Sequence, residues 1–168
     1  MTLKDLLLAQ LEREAANTRK AIERVPEGHN EFKPHERSME LGLLAALVAN
    51  MPGWITIMIE RDELDLNDPA NAGFRSKPLA TKSELLAALD RGAAKSRTAL
   101  EGTTDDHLLK PWSFKIGDYV AQEQPRHIMI ADSVFSHLAH HRGQLTVYLR
   151  LLEAKVPALY GPSADERF

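Results

Sequence analysis

The sequence contains no cysteine, and this absence limits the chemistry open to the protein. Disulfide bonds, zinc sites built from thiolates and a cysteine nucleophile are all excluded. A protein ligand to a metal ion must therefore come from histidine, aspartate, glutamate or a softer neutral group. The chain has seven histidines, and these become the residues of most interest.

Blocks of positive charge and long apolar runs are also lacking. The 168 residues include 21 Lys and Arg and 24 Asp and Glu, so the net charge is −3. This balance does not predict a surface that follows nucleic-acid phosphates. Near the start of the chain, only Leu6 to Leu8 form an apolar run before charged residues return. We expect no signal peptide, no membrane association and a cytoplasmic location.

Four segments have the apolar periodicity of amphipathic helices. The first ends before Pro26 and Gly28, which both break helices. The second begins near Ser38, a good N-cap residue, and contains Pro52. Because proline removes a helical hydrogen bond, we expect Pro52 to kink or divide this second helix.

The third helix begins after Thr81 or Ser83 and stops near Gly102. The fourth begins around Pro125, because proline is favoured in the first turn of a helix, and continues to about Ala154. Four such helices predict an all-α protein.

The predicted architecture is an up-and-down four-helix bundle in a single domain over residues 1–168. No segment has sustained β alternation, although Phe114–Gln122 could be a short extended stretch or a loop. The connections Arg61–Lys82 and Thr103–Gln124 are longer than usual for a bundle. Long loops at one end of a bundle often form the rim of a binding site.

Three histidines lie close together in the fourth helix, within Phe135–Leu152. His137 and His141 are about 40° apart on the helix surface, and flanking apolar residues predict that they face the core. Two imidazoles at this spacing can bind one divalent cation. Alternatively, the two histidines form a polar pair satisfied by Gln144, Tyr148 or water.

Three stretches of the sequence resemble the DinB/YfiT-like superfamily. They are "HLAHHRGQLTVYLRLLEAKVPALYGPSADE" (His137–Glu166), "FKPHERSMELGLLAALVANMPGW" (Phe32–Trp54) and "LLLAQLEREAANTRKAIERVP" (Leu6–Pro26). The resemblance covers nearly the whole chain, and the C-terminal motif is specific. It implies a four-helix bundle, usually a homodimer, that holds one divalent metal ion with three histidines.

The three ligands that this resemblance implies are not all present. His137 and His141 match the two ligands of the fourth helix. The ligand of the second helix falls on Leu47, whose side chain cannot bind a metal. The resemblance therefore implies a divalent ion such as Zn, Ni or Mn, but with weak or absent occupancy.

Four residues near Leu47 in the sequence are poor replacements for a third ligand. Glu40 lies two turns away, about 10 Å along the helix axis. Met51 offers a soft thioether, and Asn50 a weak neutral oxygen. His35 precedes the second helix and would have to fold back over the site.

Two functions follow from the resemblance. The first is a metal-dependent thiol transferase or hydrolase, in which the metal lowers the pKa of a thiol or of water and Tyr148 or Gln144 orients the substrate. The alternative is a non-catalytic module that binds a small molecule or another protein. In either case a homodimer is expected, with Gly143 allowing close approach at a helix or subunit contact.

The roles of several other residues remain open at this stage. Arg142 either pairs with a carboxylate near the site or across a subunit contact, or lies at the surface. The acidic residues of the first helix, Glu14 among them, are expected to form a solvated face. Trp54 and Trp112 are interpreted as anchors of the core or of loops rather than as ligand platforms.

Overall fold

The computed structural model describes residues 1–74 and 77–167. Helices dominate this part of the chain, and three short strands form one sheet. The helices are α1 (Leu3–Ile22), α2 (Leu41–Asn50), α3 (Trp54–Glu60), α4 (Lys82–Gly102), α5 (Asp105–Leu108), α6 (Arg126–Met129) and α7 (His137–Leu151), and the strands are β1 (Glu63–Asp65), β2 (Pro111–Ile116) and β3 (Tyr119–Pro125).

The two longest helices begin at capping boxes. Thr2 caps α1, and its hydroxyl accepts a hydrogen bond from the backbone N–H of Asp5, whose carboxylate accepts one from the Thr2 N–H. Thr81 and Glu84 form the same reciprocal pair at the start of α4. Each cap satisfies backbone donors that the helix leaves unpaired, which is worth about 0.5–2 kcal/mol. The predicted end of the first helix and the predicted limits of the third are confirmed to within a few residues.

Proline divides the second helical segment, as predicted. The residues Met51–Gly53 form a 3₁₀ turn between α2 and α3. At this turn the backbone lies against α4, since a Cβ built on Gly53 would be 3.1 Å from the Cα of Gly92. A side chain at either position would be tightly crowded by the backbone of the other, so this glycine pair allows the divided segment to pack directly on α4.

The fourth helical segment is continuous but irregular. A π-helical stretch, Ile130–Ser136, joins α6 to α7, so that helical structure runs from residue 126 to residue 151. The segment ends at Leu151, a few residues before the predicted Ala154. Glu153, just after the helix, has a positive φ of 57°. A π-helical stretch packs less favourably than an α-helix and often occurs at functional sites.

The prediction of an all-α fold is correct only in part, because the mostly helical chain also forms a small three-stranded sheet. β1 pairs in parallel with β2, and β2 pairs antiparallel with β3. The sheet occupies the two long connections that were predicted as loops, and the extended alternative for Phe114–Gln122 is the correct one. Buried Arg126 ties the sheet to the helices, because its guanidinium donates to the carbonyls of Met58, Arg61 and Pro111.

Two apolar clusters form the core. One joins α2 to the C-terminal half of α1, the N-terminal half of α4 and α7. The other joins α3 and the start of α1 to the π-helical stretch and the sheet. Trp54 packs against both clusters and therefore lies at the boundary between them.

A buried ion pair fixes α7 to α1 and corrects the prediction for Glu14. Glu14 is only 3% exposed and Arg142 is 0% exposed. The Arg142 guanidinium donates to the Glu14 carboxylate (2.5 Å), to the Glu14 carbonyl (3.1 Å) and to the Thr18 hydroxyl (2.9 Å). The hydroxyl of Tyr160 donates to the same carboxylate. Of the two alternatives for Arg142, pairing with a carboxylate is confirmed.

One helical stretch, Leu41–Glu60, is long and apolar enough to cross a membrane by composition alone. Within its most apolar window, 56% of the residues are buried inside the fold. Core helices of soluble proteins pass the same test, so this stretch is only weak support for a membrane span.

Candidate functional site

A cavity of about 440 Å³ opens between the helices and the sheet. Its volume falls within the range of about 300–1,000 Å³ that is typical of small-molecule sites. Residues of α2, α3, the sheet and the fourth helical segment all contribute to its wall. The cavity therefore lies where the two core clusters meet the sheet.

Most of the cavity wall is apolar. Leu43 and Leu47 lie one turn apart on α2, and both line the cavity. On the opposite side, Leu64 of β1 and Phe114 of β2 are register partners in the sheet and line it as well. No charged side chain lines the cavity within residues 1–74 and 77–167.

Aromatic rings are concentrated in this wall. Trp54 packs against Phe74 with ring centroids 5.3 Å apart, and against His137 with centroids 6.0 Å apart. Trp112 also lines the cavity and is buried. The two tryptophans do anchor the core, as predicted, but they also form part of the surface that a ligand would contact.

The three histidines of α7 form a hydrogen-bonded chain with Gln144. The Nε2 atoms of His137 and His141 are 2.8 Å apart. Nδ1 of His141 lies 2.8 Å from Oε1 of Gln144, and Nε2 of Gln144 lies 3.1 Å from Nε2 of His140. A bond between two imidazole nitrogens needs one donor and one acceptor, so His137 and His141 cannot both carry a proton at the shared position.

The expectation that both histidines face the core is wrong. His137 is exposed on one side, although it lines the cavity, and His141 is only half-buried. The buried face of α7 is instead formed by Leu138, Leu145 and Leu149. The apolar residues Val147 and Leu151 are exposed, so counting them as core residues shifted the predicted core-facing side of α7 toward the histidines.

The pKa of His137 is lowered from its ordinary value of 6.5. Burial against the cavity wall is the main cause, and the neighbouring His141 and His140 add unfavourable charge interactions. A hydrogen bond with the backbone of Ser133 opposes the shift without cancelling it. The imidazole at the cavity wall is therefore biased toward its neutral form.

The described residues do not fit the three-histidine metal site that the resemblance implies. Leu47 lines the same cavity as His137, but it presents only carbon atoms there. Over residues 1–74 and 77–167, no group of three His, Cys, Asp or Glu side chains is placed to hold a metal ion. Zinc sites use at least about three protein ligands, so the two imidazoles are an incomplete set.

The four residues that could replace Leu47 as a third ligand all lie outside the cavity wall and have other contacts. Nδ1 of His35 accepts a hydrogen bond from the Arg37 N–H, and Asn50 donates to the Ala46 carbonyl. Met51 is fully buried in the core. Glu40 lies 3.4 Å from the ammonium of Lys33. None of the four lines the cavity, so the structure offers no substitute donor among them.

Tyr148 and Gln144, the residues predicted to orient a substrate, have structural contacts. The Tyr148 hydroxyl donates to the Met39 carbonyl at 2.8 Å and fixes α7 to the start of α2. Gln144 belongs to the histidine chain and is exposed. Gly143 has open space around the position of a Cβ, so it makes no close contact within the described chain.

The sequence did not predict, as a group, the three polar residues that line the cavity within residues 1–74 and 77–167. Gln122 of β3, Ser133 of the π-helical stretch and His137 line the cavity, and we call them the polar corner. The Ser133 hydroxyl lies 3.2 Å from Oε1 of Gln122. The spacing of Ser133 and His137, four residues apart, was visible in the sequence, but Gln122 lay in a stretch whose conformation was left open.

Comparison with known proteins places the chain in a family. The model of the DinB family matches residues 1–167. The uncharacterized protein YrdA of Bacillus subtilis is 28% identical over 113 residues, which cover 67% of this chain and 62% of that protein. The aligned region thus spans less than two thirds of that relative.

Two solved structures share the fold. A DinB-like protein from Bacillus cereus has a TM-score of 0.71 at 19% identity, covering 92% of this chain and 95% of that chain. A DinB-like protein from Bacillus subtilis has a TM-score of 0.65 at 18% identity, covering 90% of this chain and 95% of that one. The fold is therefore DinB-like, mostly helical with a small sheet, and with a family match over residues 1–167 the chain belongs to the DinB family.

Proposed function

We propose that this protein binds a small, mostly apolar molecule in the cavity between α2, the sheet and the fourth helical segment. The observation that carries the proposal is the wall itself, in which 12 of the 15 lining residues in the described part of the chain are apolar and Leu47 is one of them. Burying a ligand against such a wall is favourable because apolar surface leaves water. A leucine at the position assigned to a metal ligand favours an apolar ligand over a cation.

In this proposal the protein is a binding module built on an up-and-down four-helix bundle. It acts as a homodimer in the cytoplasm. Gly143, Val147 and Leu151 form one exposed stripe along α7, and the latter two are 56% and 53% exposed. An exposed apolar stripe beside a glycine suits close packing of two helices. Sedimentation should give about twice the chain mass of 18.8 kDa.

The dimer can be tested by substitution in the same stripe. Val147→Glu should yield a monomer, because it places a charge in the proposed contact. Val120→Glu changes an exposed valine of β3 and should leave the dimer intact. A monomeric parent protein would contradict the dimer without affecting the cavity proposal.

Binding in the cavity can be measured with Prodan, a neutral dye whose emission shifts in apolar surroundings. Leu47→Trp should fill part of the cavity and weaken Prodan binding at least about tenfold, which corresponds to about 1.4 kcal/mol. Leu109→Trp is the matched control, because Leu109 is 54% exposed and does not line the cavity. Equal binding to the parent protein and to Leu47→Trp would refute the proposed site, provided that circular dichroism shows both to be folded.

A metal-dependent thiol transferase or hydrolase is the second candidate. In its favour, the Nε2 atoms of His137 and His141 converge to 2.8 Å. Against it, Leu47 supplies no third ligand, so we assign no catalytic step to a metal. Elemental analysis of untagged protein, with titration of Zn²⁺, Ni²⁺ and Mn²⁺ into metal-free protein, distinguishes the two candidates. A stoichiometric, tightly bound ion would favour the enzyme.

A further inference from the structure

The polar corner allows the ligand of the cavity to be described more closely. It is the part of the cavity wall where polar side chains gather, since every other lining residue in the described chain is apolar. Ligand sites commonly combine an apolar wall with a few polar groups that fix orientation. The number, charge and free hydrogen-bonding capacity of these groups therefore limit the chemistry of a ligand.

Gln122 has hydrogen-bonding capacity left for a ligand. Its side chain is exposed, and its Oε1 accepts from the Ser133 hydroxyl at 3.2 Å. Its amide nitrogen has no hydrogen-bond partner among the side chains and backbone of residues 1–74 and 77–167. The Ser133 oxygen keeps lone pairs after donating its proton. The corner thus offers N–H donors and an oxygen acceptor side by side.

The backbone around Ser133 supports a role in binding. Ser133 lies within the π-helical stretch, and His137 is the first residue of α7 after that stretch. A π-helical stretch replaces regular α-helical hydrogen bonds with a wider turn, which is retained mainly where side-chain placement matters. Here it lies in the part of the fourth helical segment that lines the cavity.

Charge excludes two classes of ligand. No Lys, Arg, Asp or Glu lines the cavity in the described part of the chain, so neither a carboxylate nor an ammonium group would find a counter-charge. Placing an unpaired charge in such surroundings is strongly unfavourable. A neutral hydroxyl avoids this penalty and matches a site with both donors and an acceptor.

The aromatic rings and methionines of the wall indicate the shape of the ligand body. Trp54, Phe74 and Phe114 present ring surfaces, and Met39, Met58 and Met129 add thioethers. Ring–ring and sulfur–ring contacts each contribute about 0.3–1.5 kcal/mol beyond simple burial of area. A flat aromatic body therefore fits this wall better than an aliphatic chain.

We propose that the ligand is a neutral aromatic molecule with one hydroxyl group, which Gln122 and Ser133 bind while its ring packs against Trp54. This inference rests on the proposed function, because it presumes that the cavity binds a small molecule. The hydroxyl oxygen accepts from the Gln122 amide, and the hydroxyl proton is donated to Ser133 Oγ. The remaining carbon atoms contact the apolar wall.

Displacement of Prodan by three matched compounds tests the proposal. 4-Propylphenol should bind about fivefold more tightly than propylbenzene, since a satisfied hydrogen-bonding group contributes on the order of 1 kcal/mol. It should also bind at least about tenfold more tightly than 4-propylbenzoate, which carries an unpaired charge. Equal affinities for propylphenol and propylbenzene in a protein that binds Prodan would overturn the inference while leaving the proposed function standing. Absence of Prodan binding would overturn both.

Two variants test whether the polar corner causes the preference for propylphenol over propylbenzene. Ser133→Ala and Gln122→Met should each remove most of the preference for propylphenol and leave the affinity for propylbenzene within about twofold. Ser136→Ala and Gln124→Met are the matched controls, because Ser136 and Gln124 are exposed, as Gln122 is, but do not line the cavity. A preference that persists in both corner variants would contradict the assignment, whereas its loss in the control variants would point to an indirect effect.

Discussion

His141 and Arg142 are neighbours in α7, yet their side chains enter very different surroundings. His141 is half-buried and shares its hydrogen bonds with His137 and Gln144, both of them exposed. Arg142 is fully buried, and its guanidinium joins a carboxylate of α1 to a tyrosine near the end of the chain. One side of α7 thus carries polar groups that reach solvent, and the other side carries polar groups that are enclosed by the fold.

This difference in burial shows that polar residues on one helix can contribute very differently to stability. A buried charge requires a complete set of partners, because removing one partner leaves the other desolvated and unpaired. Exposed groups can lose a partner to water at small cost. We therefore expect substitutions on the Arg142 side to change stability and substitutions on the cavity side to change binding.

The largest effect is expected for Arg142→Met. This substitution leaves the Glu14 carboxylate buried without its cationic partner and should lower the free energy of unfolding by about 3–5 kcal/mol. Arg150→Met is the control, because Arg150 pairs with Asp165 at the surface and should cost at most about 1 kcal/mol. Urea denaturation measures both, and a loss below about 1 kcal/mol for Arg142→Met would contradict the contrast between the two sides of α7.

Leu47→His tests whether the cavity next to His137 can bind a metal ion. If Leu47 stands where a ligand histidine belongs, the substitution should lower the dissociation constant for Zn²⁺ or Ni²⁺ at least tenfold, or about 1.4 kcal/mol. Leu43→His is the control, because it places an imidazole in the same cavity one turn away, about 5.4 Å along α2. Calorimetric titration with Zn²⁺ or Ni²⁺ measures the dissociation constants of the two variants and of the parent protein. Tight binding by the parent protein with no gain in Leu47→His would mean that another residue supplies the third ligand.

Tyr160→Phe should have a smaller effect, about 1 kcal/mol at neutral pH, because it removes one hydrogen bond to Glu14. Burial and the hydrogen bond to Glu14 raise the pKa of Tyr160 from 10.0 to about 12. Since the folded state holds the neutral phenol, its contribution is present below pH 10 and disappears as the pH rises through about 12.

Ultraviolet titration of phenolate absorbance measures this ionisation. The parent protein should have a phenol that ionises near pH 12, and Tyr160→Phe should lack it. Loss of a phenolate step near pH 10 in the variant, with no change near pH 12, would show that Tyr160 ionises as an ordinary exposed tyrosine.

The smallest effect on stability is expected for His141→Gln, within about 0.5 kcal/mol, because the histidine pair is open to solvent. The same substitution removes an unfavourable charge interaction and should raise the pKa of His137 toward 6.5, although burial keeps some of the shift. A lowered His137 pKa makes stability fall as the pH drops below 6.5, so the variant should lose stability less steeply there. Nuclear magnetic resonance titration of His137 Cε1–H measures the pKa, and an unchanged value would contradict the contact.

Local signals in the sequence predicted the helices well and the sheet poorly. The cap at Thr81 and the break at Pro52 act within a few residues, so their effects can be predicted from neighbouring residues. β1 has only three residues, and its pairing with β2 joins Leu64 to Phe114, which lies 50 residues later in the chain. β3 is mostly exposed and polar, and it therefore has no alternation that would predict a strand.

The candidate site was predictable only where its residues share one helix. The spacing of His137 and His141 brought both to one stretch of the sequence, and the structure places their nitrogens together. Gln122 and Ser133 meet through the packing of β3 on the fourth helical segment, which no local pattern predicts. Glu14 was mistaken for a surface residue because its buried partner, Arg142, lies 128 residues away.

The Glu14–Arg142–Tyr160 contact also has a consequence for the order of events during biosynthesis. Glu14 leaves the ribosome early, but Tyr160 follows 146 residues later. At translation rates of about 5–20 residues per second, the interval is roughly 7–30 s. Over that time α1 carries a carboxylate that cannot enter the core favourably, so the nascent chain should remain open and accessible to chaperones. Native packing of the first helix should therefore follow synthesis of the last.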